Sequence, residues 1–204
     1  MTETPGPDPR VELRERTTPY QGYFRLDRYR LRHRRFDGGW SEVMTREVFE
    51  RGHAASVLPY DPARDAVVLV EQFRTGALAA GMEPWLVEAV AGIIEPGEDP
   101  ADVVRREAVE EAGCVITDLE PIGTVLLSPG GSSETLSMYL GRADISGVGG
   151  IHGLAHEHED IRAFVVPAEE ALARLARAEY LNAPLVMSLQ WLALNRARMR
   201  EVWR

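Results

Sequence analysis

Apolar and polar residues alternate along the first quarter of the chain, and longer apolar runs follow. From about Gly22 to Glu50 the alternation is interrupted at Asp37-Gly38-Gly39. This pattern predicts a β-hairpin, because glycine readily supplies the positive φ angles of a tight turn. Further strands are predicted over residues 53–61, 65–74, 85–93, 121–128 and 135–144.

Three segments have the apolar spacing of helices. The first runs from Pro100 to Ala112, where Asp99 is suited to the N-cap, proline to the first turn and Gly113 to the end. The others cover residues 168–179 and 184–200, and the last carries a stripe of Leu185, Leu189, Leu192 and Met199 that is typical of a core or a subunit contact. Together the elements predict an α/β (α+β) fold with a mixed β-sheet sandwiched between helices.

Composition limits the classes of function. The chain has 204 residues and a net charge of −9, which argues against a nucleic-acid or anionic-membrane surface. A basic stretch at residues 25–35 is best interpreted as a solvated strand face. No apolar run is long enough to span a bilayer, residues 1–10 resemble a disordered tail rather than a secretory signal, and Cys114 is the one cysteine. A cytoplasmic location is therefore expected.

The helix over residues 100–112 carries an unusual acidic stripe. Glu107 and Glu111 are four residues apart and point about 40° from one another, and Glu110 lies about 60° to the other side. Like charges at this spacing repel. A solvated acidic face is the ordinary explanation, but a hard divalent cation would relieve the repulsion, and oxygen ligands suit Mg²⁺ or Mn²⁺. A metal of this kind binds pyrophosphate and activates water.

The stretch GIIEPGEDPADVVRREAVEEAG, residues 92–113, resembles the Nudix box at each fixed position: Gly92, Glu98, Arg106, Glu107, Glu110, Glu111 and Gly113. The resemblance implies the Nudix fold, with Mg²⁺ (or Mn²⁺ in its place) bound by Glu107, Glu111 and the backbone carbonyl of Ala91. It implies that Glu110 is a catalytic group, either a further ligand or one that orients the others. It also implies that Arg106 braces the loop by pairing with Glu98.

Other segments narrow the resemblance. The loop SPGGSSE (128–134), the segments TREVFERGHAA and VLVEQFR, and GIHGLAHEHEDI (150–161) are similar to bacterial ADP-ribose pyrophosphatases. That similarity implies hydrolysis of ADP-ribose to AMP and ribose 5-phosphate. It also implies a homodimer that exchanges a β-domain over residues 11–50, followed by a catalytic domain over residues 51–204.

GLAHEHEDI places two carboxylates in a predicted loop, from which they could move towards a metal site. By resemblance Glu157 is the catalytic base and Glu159 a further metal ligand, although the two roles could be exchanged. A zinc site at His152, His156 and His158 is an alternative without a supporting cysteine cluster or metalloprotease-type helix motif.

Substrate contacts follow from the same resemblance. Guanidinium groups match phosphate oxygens, and Arg46 and Arg74 fall where the family places groups that face phosphate and ribose, with Arg51 as a weaker third. Tyr23 and Phe24 are candidates for stacking on adenine. The loop that follows the strand predicted over residues 121–128 contributes Ser128, Pro129, Gly130 and Glu134.

Two alternatives stay open. One is a Nudix hydrolase for another substrate, such as GDP-mannose, NADH or a diadenosine polyphosphate. The other is a non-catalytic ADP-ribose sensor, which the intact box carboxylates and the lack of room for a DNA-binding module make less favoured.

Overall fold

The computed structural model describes residues 8–204, apart from the side chain of Glu157. An antiparallel N-terminal sheet contains β1 (Val11–Gln21), β2 (Arg25–His33) and β3 (Met44–Glu50) in that order. The predicted hairpin is confirmed as β2 and β3. Strand β1 was not predicted, because its side chains are almost all exposed and its apolar positions do not alternate regularly. Most of the predicted disordered tail, residues 1–7, lies outside the described residues.

A larger mixed sheet forms the centre of the remaining chain. Its strands are β4 (His53–Asp61), β5 (Ala66–Phe73), β6 (Trp85–Glu88), β7 (Val90–Ile94), β8 (Ile116–Leu126), β9 (Thr135–Ala143), β10 (Gly150–His152) and β11 (Ile161–Pro167). The main path runs β10-β11-β5-β4-β9-β8, with β6 on β5 and β7 on β4. Strand β4 is parallel to β9, whereas β5 is antiparallel to β11 and β6.

The sheet corrects two strand predictions. The single strand predicted over residues 85–93 is divided at Ala89 into β6 and β7, which pair with different neighbours. Strand β11 was not predicted, although it pairs with β5 over six residues near the middle of the sheet. The other predicted strands are present, with ends shifted by a few residues.

The helices are α1 (Thr75–Ala79), α2 (Pro100–Ala112), α3 (Ala168–Ala176) and α4 (Ala183–Val202). Helix α2 begins and ends at the residues predicted from its N-cap Asp99 and its C-terminal Gly113. Helix α3 is shorter than predicted, because the backbone leaves the helix near Ala178, where φ is +56°. The five-residue α1 was not predicted.

Helices cover both faces of the large sheet, as expected. On one face Val68 and Val70 of β5 pack in a core with Val104, Ala108 and Ala112 of α2. On the other face a second core joins β4 and β5 to α3 and α4, and it includes the predicted stripe of Leu185, Leu189, Leu192 and Met199. The predicted sandwich is confirmed, and the stripe on α4 belongs to the core.

The chain forms two compact units. One combines the chain up to His53 with Leu126–Thr135, and the other contains Ala54–Val125 and Leu136–Arg204. They are called the N-terminal unit and the large-sheet unit below. Within the described residues, no helix is both long and apolar enough to cross a membrane.

Candidate active site

Helix α2 is positioned by local signals at both ends. The Asp99 side chain accepts a hydrogen bond from the backbone N–H of Ala101 at 2.8 Å, which satisfies a donor that the helix itself leaves free. Gly113 ends the helix at φ +60°, a conformation that favours glycine. Helix α2 packs its small residues Ala108 and Ala112 against the sheet. As a result, Glu111 is buried and Glu107 is partly buried.

Glu111 is buried, with 2% of its surface exposed. Its Oε2 accepts the backbone N–H of Ala91 at 3.2 Å, and the Gln72 amide lies 3.5 Å from Oε1. Burial raises the pKa of Glu111 to about 8, and the neighbouring charges of Glu107 and Glu159 act in the same direction, against the Ala91 hydrogen bond. A carboxylate in this position gains from a cation that replaces the water it has lost.

Glu107 lies against Gly92 of β7. A Cβ atom on residue 92 would stand 2.0 Å from Oε1 of Glu107, so the approach requires glycine. Burial raises the pKa of Glu107 to about 7, opposed by Arg106 and assisted by the charges of Glu110 and Glu159. The first glycine of the box therefore makes room for a carboxylate.

Arg106 contacts three carboxylates. The predicted pair with Glu98 is present at 3.9 Å, but Nη1 also donates to Glu107 at 2.8 Å and to Glu110 at 2.9 Å. Arg106 therefore lies between Glu107 and Glu110 and offsets part of their repulsion.

The carboxylates of the predicted loop lie after β10, around a short 3-10 turn at Ala155–Glu157. Glu159 Oε2 accepts the backbone N–H of Leu154 at 3.1 Å, and its charge acts on both Glu107 and Glu111. The side chain of the predicted base Glu157 lies outside the described residues.

The acidic group fits a hard cation by the chemistry of its donors. Buried or half-buried carboxylate oxygens, which raise one another's pKa, are the ligands that divalent cations such as Mg²⁺ prefer. Within the described part of the chain, no three His, Cys, Asp or Glu side chains form a ready-made ligand set. The zinc alternative therefore gains no support, and the Nε2 atom of His152 is directed to the carbonyl of Gly149 at 3.1 Å.

Beneath α2 the sheet carries the buried polar residues Gln72 and Glu88, which were not predicted from the sequence. Along the face of β5 that packs on α2, Val68 and Val70 are followed by Gln72, and Arg74 comes directly after the end of the strand. Arg74, a predicted substrate contact, is bound by the buried Glu88 of β6, to which its Nη2 donates at 2.7 Å and its Nε at 3.2 Å. On this face of the strand, valine residues are followed by polar residues. That change was the one sign in the sequence that polar groups lie beneath α2.

A second group of predicted residues lies within the N-terminal unit. The ring of Phe24 meets Tyr23 at 4.7 Å and Phe49 at 5.2 Å between centroids, in edge-to-face geometry. The guanidinium of Arg51 lies 5.4 Å from the Phe24 centroid and its Nε is 3.5 Å from Oε1 of Glu134. That Nε is buried and has no hydrogen-bond partner among the described residues. These aromatic and charged groups would suit a base and a phosphate or ribose.

The loop at residues 128–134 is fixed to the end of β3. Phe49 donates its backbone N–H to the carbonyl of Gly131 at 2.8 Å, and the Ser133 hydroxyl donates to Glu50 at 2.6 Å. The predicted contacts Ser128, Pro129 and Gly130 lie in this loop and are exposed. Arg46 is not part of the group, because residues 46 and 49 of one strand point to opposite faces.

Comparison with known proteins agrees with this arrangement. The NUDIX domain family matches residues 50–189. The ADP-ribose pyrophosphatase of Escherichia coli (strain K12) is 49% identical over 193 residues, covering 95% of this chain and 92% of that protein. The ADP-ribose pyrophosphatase of Haemophilus influenzae is 42% identical over 197 residues, covering 95% and 91%.

Relatives of lower sequence identity include one that is named for a different substrate. The GDP-mannose pyrophosphatase of Pectobacterium atrosepticum is 31% identical over 181 residues, covering 88% of this chain and 92% of that protein. A crystal structure of an ADP compounds hydrolase superposes with a TM-score of 0.68 at 18% identity, covering 94% of this chain and 97% of that chain. Because the NUDIX domain family matches more than half of the chain, and relatives of 49% and 42% identity cover 95% of it, the chain belongs to the Nudix family.

Proposed function

We propose that this Nudix enzyme hydrolyses the pyrophosphate bond of ADP-ribose and releases AMP and ribose 5-phosphate. The observation that carries the proposal is the pair of carboxylates on α2, Glu111 buried beneath the helix and Glu107 seated against Gly92. Relatives named ADP-ribose pyrophosphatase, similar over almost the entire chain, support the substrate.

Mg²⁺ is the proposed cofactor, and Mn²⁺ is expected to substitute for it. Glu107, Glu111 and Glu159 would hold the metal together with the carbonyl of Ala91, and Glu110 would be a further ligand or orient the others. The bound metal would neutralise pyrophosphate charge and lower the pKa of a bound water. Glu111 is already oriented by the N–H of Ala91, so this ligand needs little rearrangement.

Glu157 is proposed to accept the proton of the attacking water. Its backbone belongs to the 3-10 turn two residues before Glu159, so the loop that supplies a metal ligand also supplies the base. A loop carboxylate near a metal-activated water is a suitable general base.

Several residues are proposed to contact the substrate, and each unit is described by itself. In the N-terminal unit, Phe24 and Tyr23 offer ring surfaces for adenine. Arg51 offers a buried Nε that forms an ion pair with Glu134 but has no hydrogen-bond partner among the described residues. Glu134 and the loop residues Ser128, Pro129 and Gly130 are proposed to contact the ribose and diphosphate. In the large-sheet unit, Arg74 remains a proposed phosphate contact. In the N-terminal unit, Arg46 remains a proposed contact on the opposite face of β3 from Phe49.

A homodimer is proposed because the described residues of the N-terminal unit bury no apolar side chain. Among its described residues the buried side chains are those of Asp27 and Glu134, both charged. Val11 and Leu13 of β1 stay 44% and 46% exposed. A β-unit of this size needs another apolar surface to be stable, and a second copy would provide one through the exchanged domain. Sedimentation equilibrium tests this, since a fully active monomer would contradict it.

GDP-mannose is the second candidate substrate, because relatives of that name match most of the chain. The deciding experiment measures kcat/KM for ADP-ribose, GDP-mannose, NADH and a diadenosine polyphosphate at one Mg²⁺ concentration. ADP-ribose should be preferred by at least tenfold. A preference for GDP-mannose would keep the reaction class and replace the substrate, and binding of ADP-ribose without turnover would support a sensor.

A further inference from the structure

The loop that carries Glu157 and Glu159 is closed on itself. Leu154 donates its N–H to the Glu159 carboxylate at 3.1 Å, and Glu159 returns a backbone hydrogen bond to the Leu154 carbonyl at 3.4 Å. Gly153 makes this possible, since a Cβ there would stand 2.7 Å from Cβ of Glu159, at a φ of +102°. The base of the loop is thus a compact ring rather than a free segment.

This ring is attached to the C-terminal end of α2. The last carbonyls of a helix have no partner within the helix. Those of Ala108 and Val109 accept from Cys114 and Gly113, and that of Glu110 accepts from the N–H of Gly153 at 3.3 Å. One end of the metal-binding helix is therefore capped by the backbone of the loop that carries the proposed base.

His152 secures the same junction by packing. A Cβ on Gly113 would lie 3.0 Å from Cε1 of the His152 ring, so the imidazole sits directly over the helix end. Its Nε2 is 3.1 Å from the Gly149 carbonyl, which can only accept, so Nε2 carries the proton and the ring is oriented. The last glycine of the box is required both for its φ of +60° and for the space it leaves to the ring.

We propose that His152 is a positioning residue of the reaction: its ring, seated on Gly113, holds the loop of Glu157 and Glu159 in register with the carboxylates of α2. The kinetic part of this proposal rests on the proposed function. The packing of the His152 ring on the end of α2 does not rest on that function, because it is a property of the unliganded protein. In this proposal His152 acts through the loop rather than directly on the substrate or the metal.

The kinetic test compares His152→Ala, His152→Gln and a matched control, His33→Ala, whose histidine lies exposed on β2. In His152→Ala, kcat for ADP-ribose should fall on the order of 10- to 100-fold, because a displaced base loses part of its contribution. KM should change less than about twofold, because the substrate groups are elsewhere. His152→Gln retains a donor for Gly149 and should recover most of kcat, and His33→Ala should match wild type.

A second measurement is independent of catalysis. Hydrogen exchange of the metal-free protein should show faster exchange at the amides of Gly153 and Leu154 in His152→Ala, with unchanged exchange in the core of α4 and no change in His33→Ala. Unchanged protection at these amides, or wild-type kcat in His152→Ala, would overturn the proposal. If wild type fails to hydrolyse ADP-ribose, the proposed function fails, and the exchange result still decides whether His152 docks the loop.

Packing on Gly113 is tested by a double-mutant cycle. Gly113→Ala introduces both an unfavourable φ and a clash with the ring, so its destabilisation should be partly relieved in the His152→Ala background. Strictly additive effects of the two substitutions on the urea midpoint would show that the ring does not press on the helix end. That result would refute the packing on which the positioning role depends.

Discussion

Burial of Glu111 without a cation should make the metal-free protein less stable as pH rises. In the unfolded chain this carboxyl titrates near 4.5, whereas burial raises its pKa in the folded protein to about 8. Between these values the folded state binds more protons than the unfolded state, so the free energy of unfolding falls with increasing pH. The loss begins above pH 4.5 and is complete above about pH 8.

The size of the effect follows from the pKa difference. At about 1.4 kcal/mol for each pKa unit, the change from 4.5 to about 8 corresponds to at most about 5 kcal/mol. Glu111→Gln removes the charge, but its side-chain NH2 group then faces another donor, either the N–H of Ala91 or the amide of Gln72. Losing that hydrogen bond costs about 1 kcal/mol. The variant should thus be about 2–4 kcal/mol more stable than wild type at pH 9 without metal, and no more stable at pH 5.

Urea unfolding in EDTA at pH 5, 7 and 9, followed by circular dichroism, measures this difference directly. Subtracting the variant from wild type cancels the titration of carboxylates that do not interact with Glu111. The difference therefore reports Glu111 together with its interactions with Glu107 and Glu159. Adding Mg²⁺ at pH 8 should stabilise wild type and leave Glu111→Gln nearly unchanged, because only a protein that binds the cation gains stability from it. A variant less stable than wild type at pH 9 without metal would refute the reasoning.

Three further outcomes are expected. Gly92→Ala should fold but bind Mn²⁺ at least tenfold more weakly in calorimetry, since its Cβ would displace the carboxylate of Glu107; wild-type affinity would contradict this. Phe24→Ala should raise KM for ADP-ribose about tenfold at nearly constant kcat, because stacking on a base contributes about 1–3 kcal/mol; an unchanged KM in steady-state assays would remove the ring from the binding site. The thiol of Cys114, buried and with its pKa raised to about 11, should resist alkylation by iodoacetamide at pH 8 until urea unfolds the chain, and rapid labelling of the native protein would be inconsistent with its burial.

Local signals explain why helix α2 was predicted with its correct ends. Asp99, Pro100 and Gly113 act on the backbone within one turn of where they stand, so their effect does not depend on the rest of the fold. The carboxylate spacing on this helix is likewise fixed by helix geometry. The amino-acid sequence alone is therefore enough to name the candidate metal ligands of the box.

Strand β11 shows where such reasoning stops. Its sequence, IRAFVVP, contains Arg162 and an uninterrupted apolar run, and it follows a loop. Nothing in this sequence indicates the strand with which it pairs. Its place next to β5 comes from pairing with residues about 90 positions earlier, Arg162 opposite Glu71 and Val165 opposite Val68. Long-range pairing of this kind depends on packing that a single sequence does not display.

The supporting residues of the site were missed for the same reason. Gln72 approaches Glu111, and Gly153 caps the carbonyl of Glu110, only because distant segments meet at α2. The hint for Gln72 was present in the alternation along β5, where a polar residue follows Val68 and Val70 on the buried face. For Gly153 the sequence offered no comparable hint.

Single-turnover hydrolysis of ADP-ribose tests most directly whether the carboxylates of α2 bind the divalent metal that the cleavage requires. Wild type and Glu111→Gln are compared, with product analysis in the presence of Mg²⁺ and of EDTA. We expect wild type to release AMP and ribose 5-phosphate in the presence of Mg²⁺ but not in EDTA. With Mg²⁺, the rate of the variant should be at least 100-fold lower than that of wild type. Equal rates in the two proteins, or hydrolysis by wild type in EDTA, would contradict metal binding by these carboxylates as the basis of the reaction.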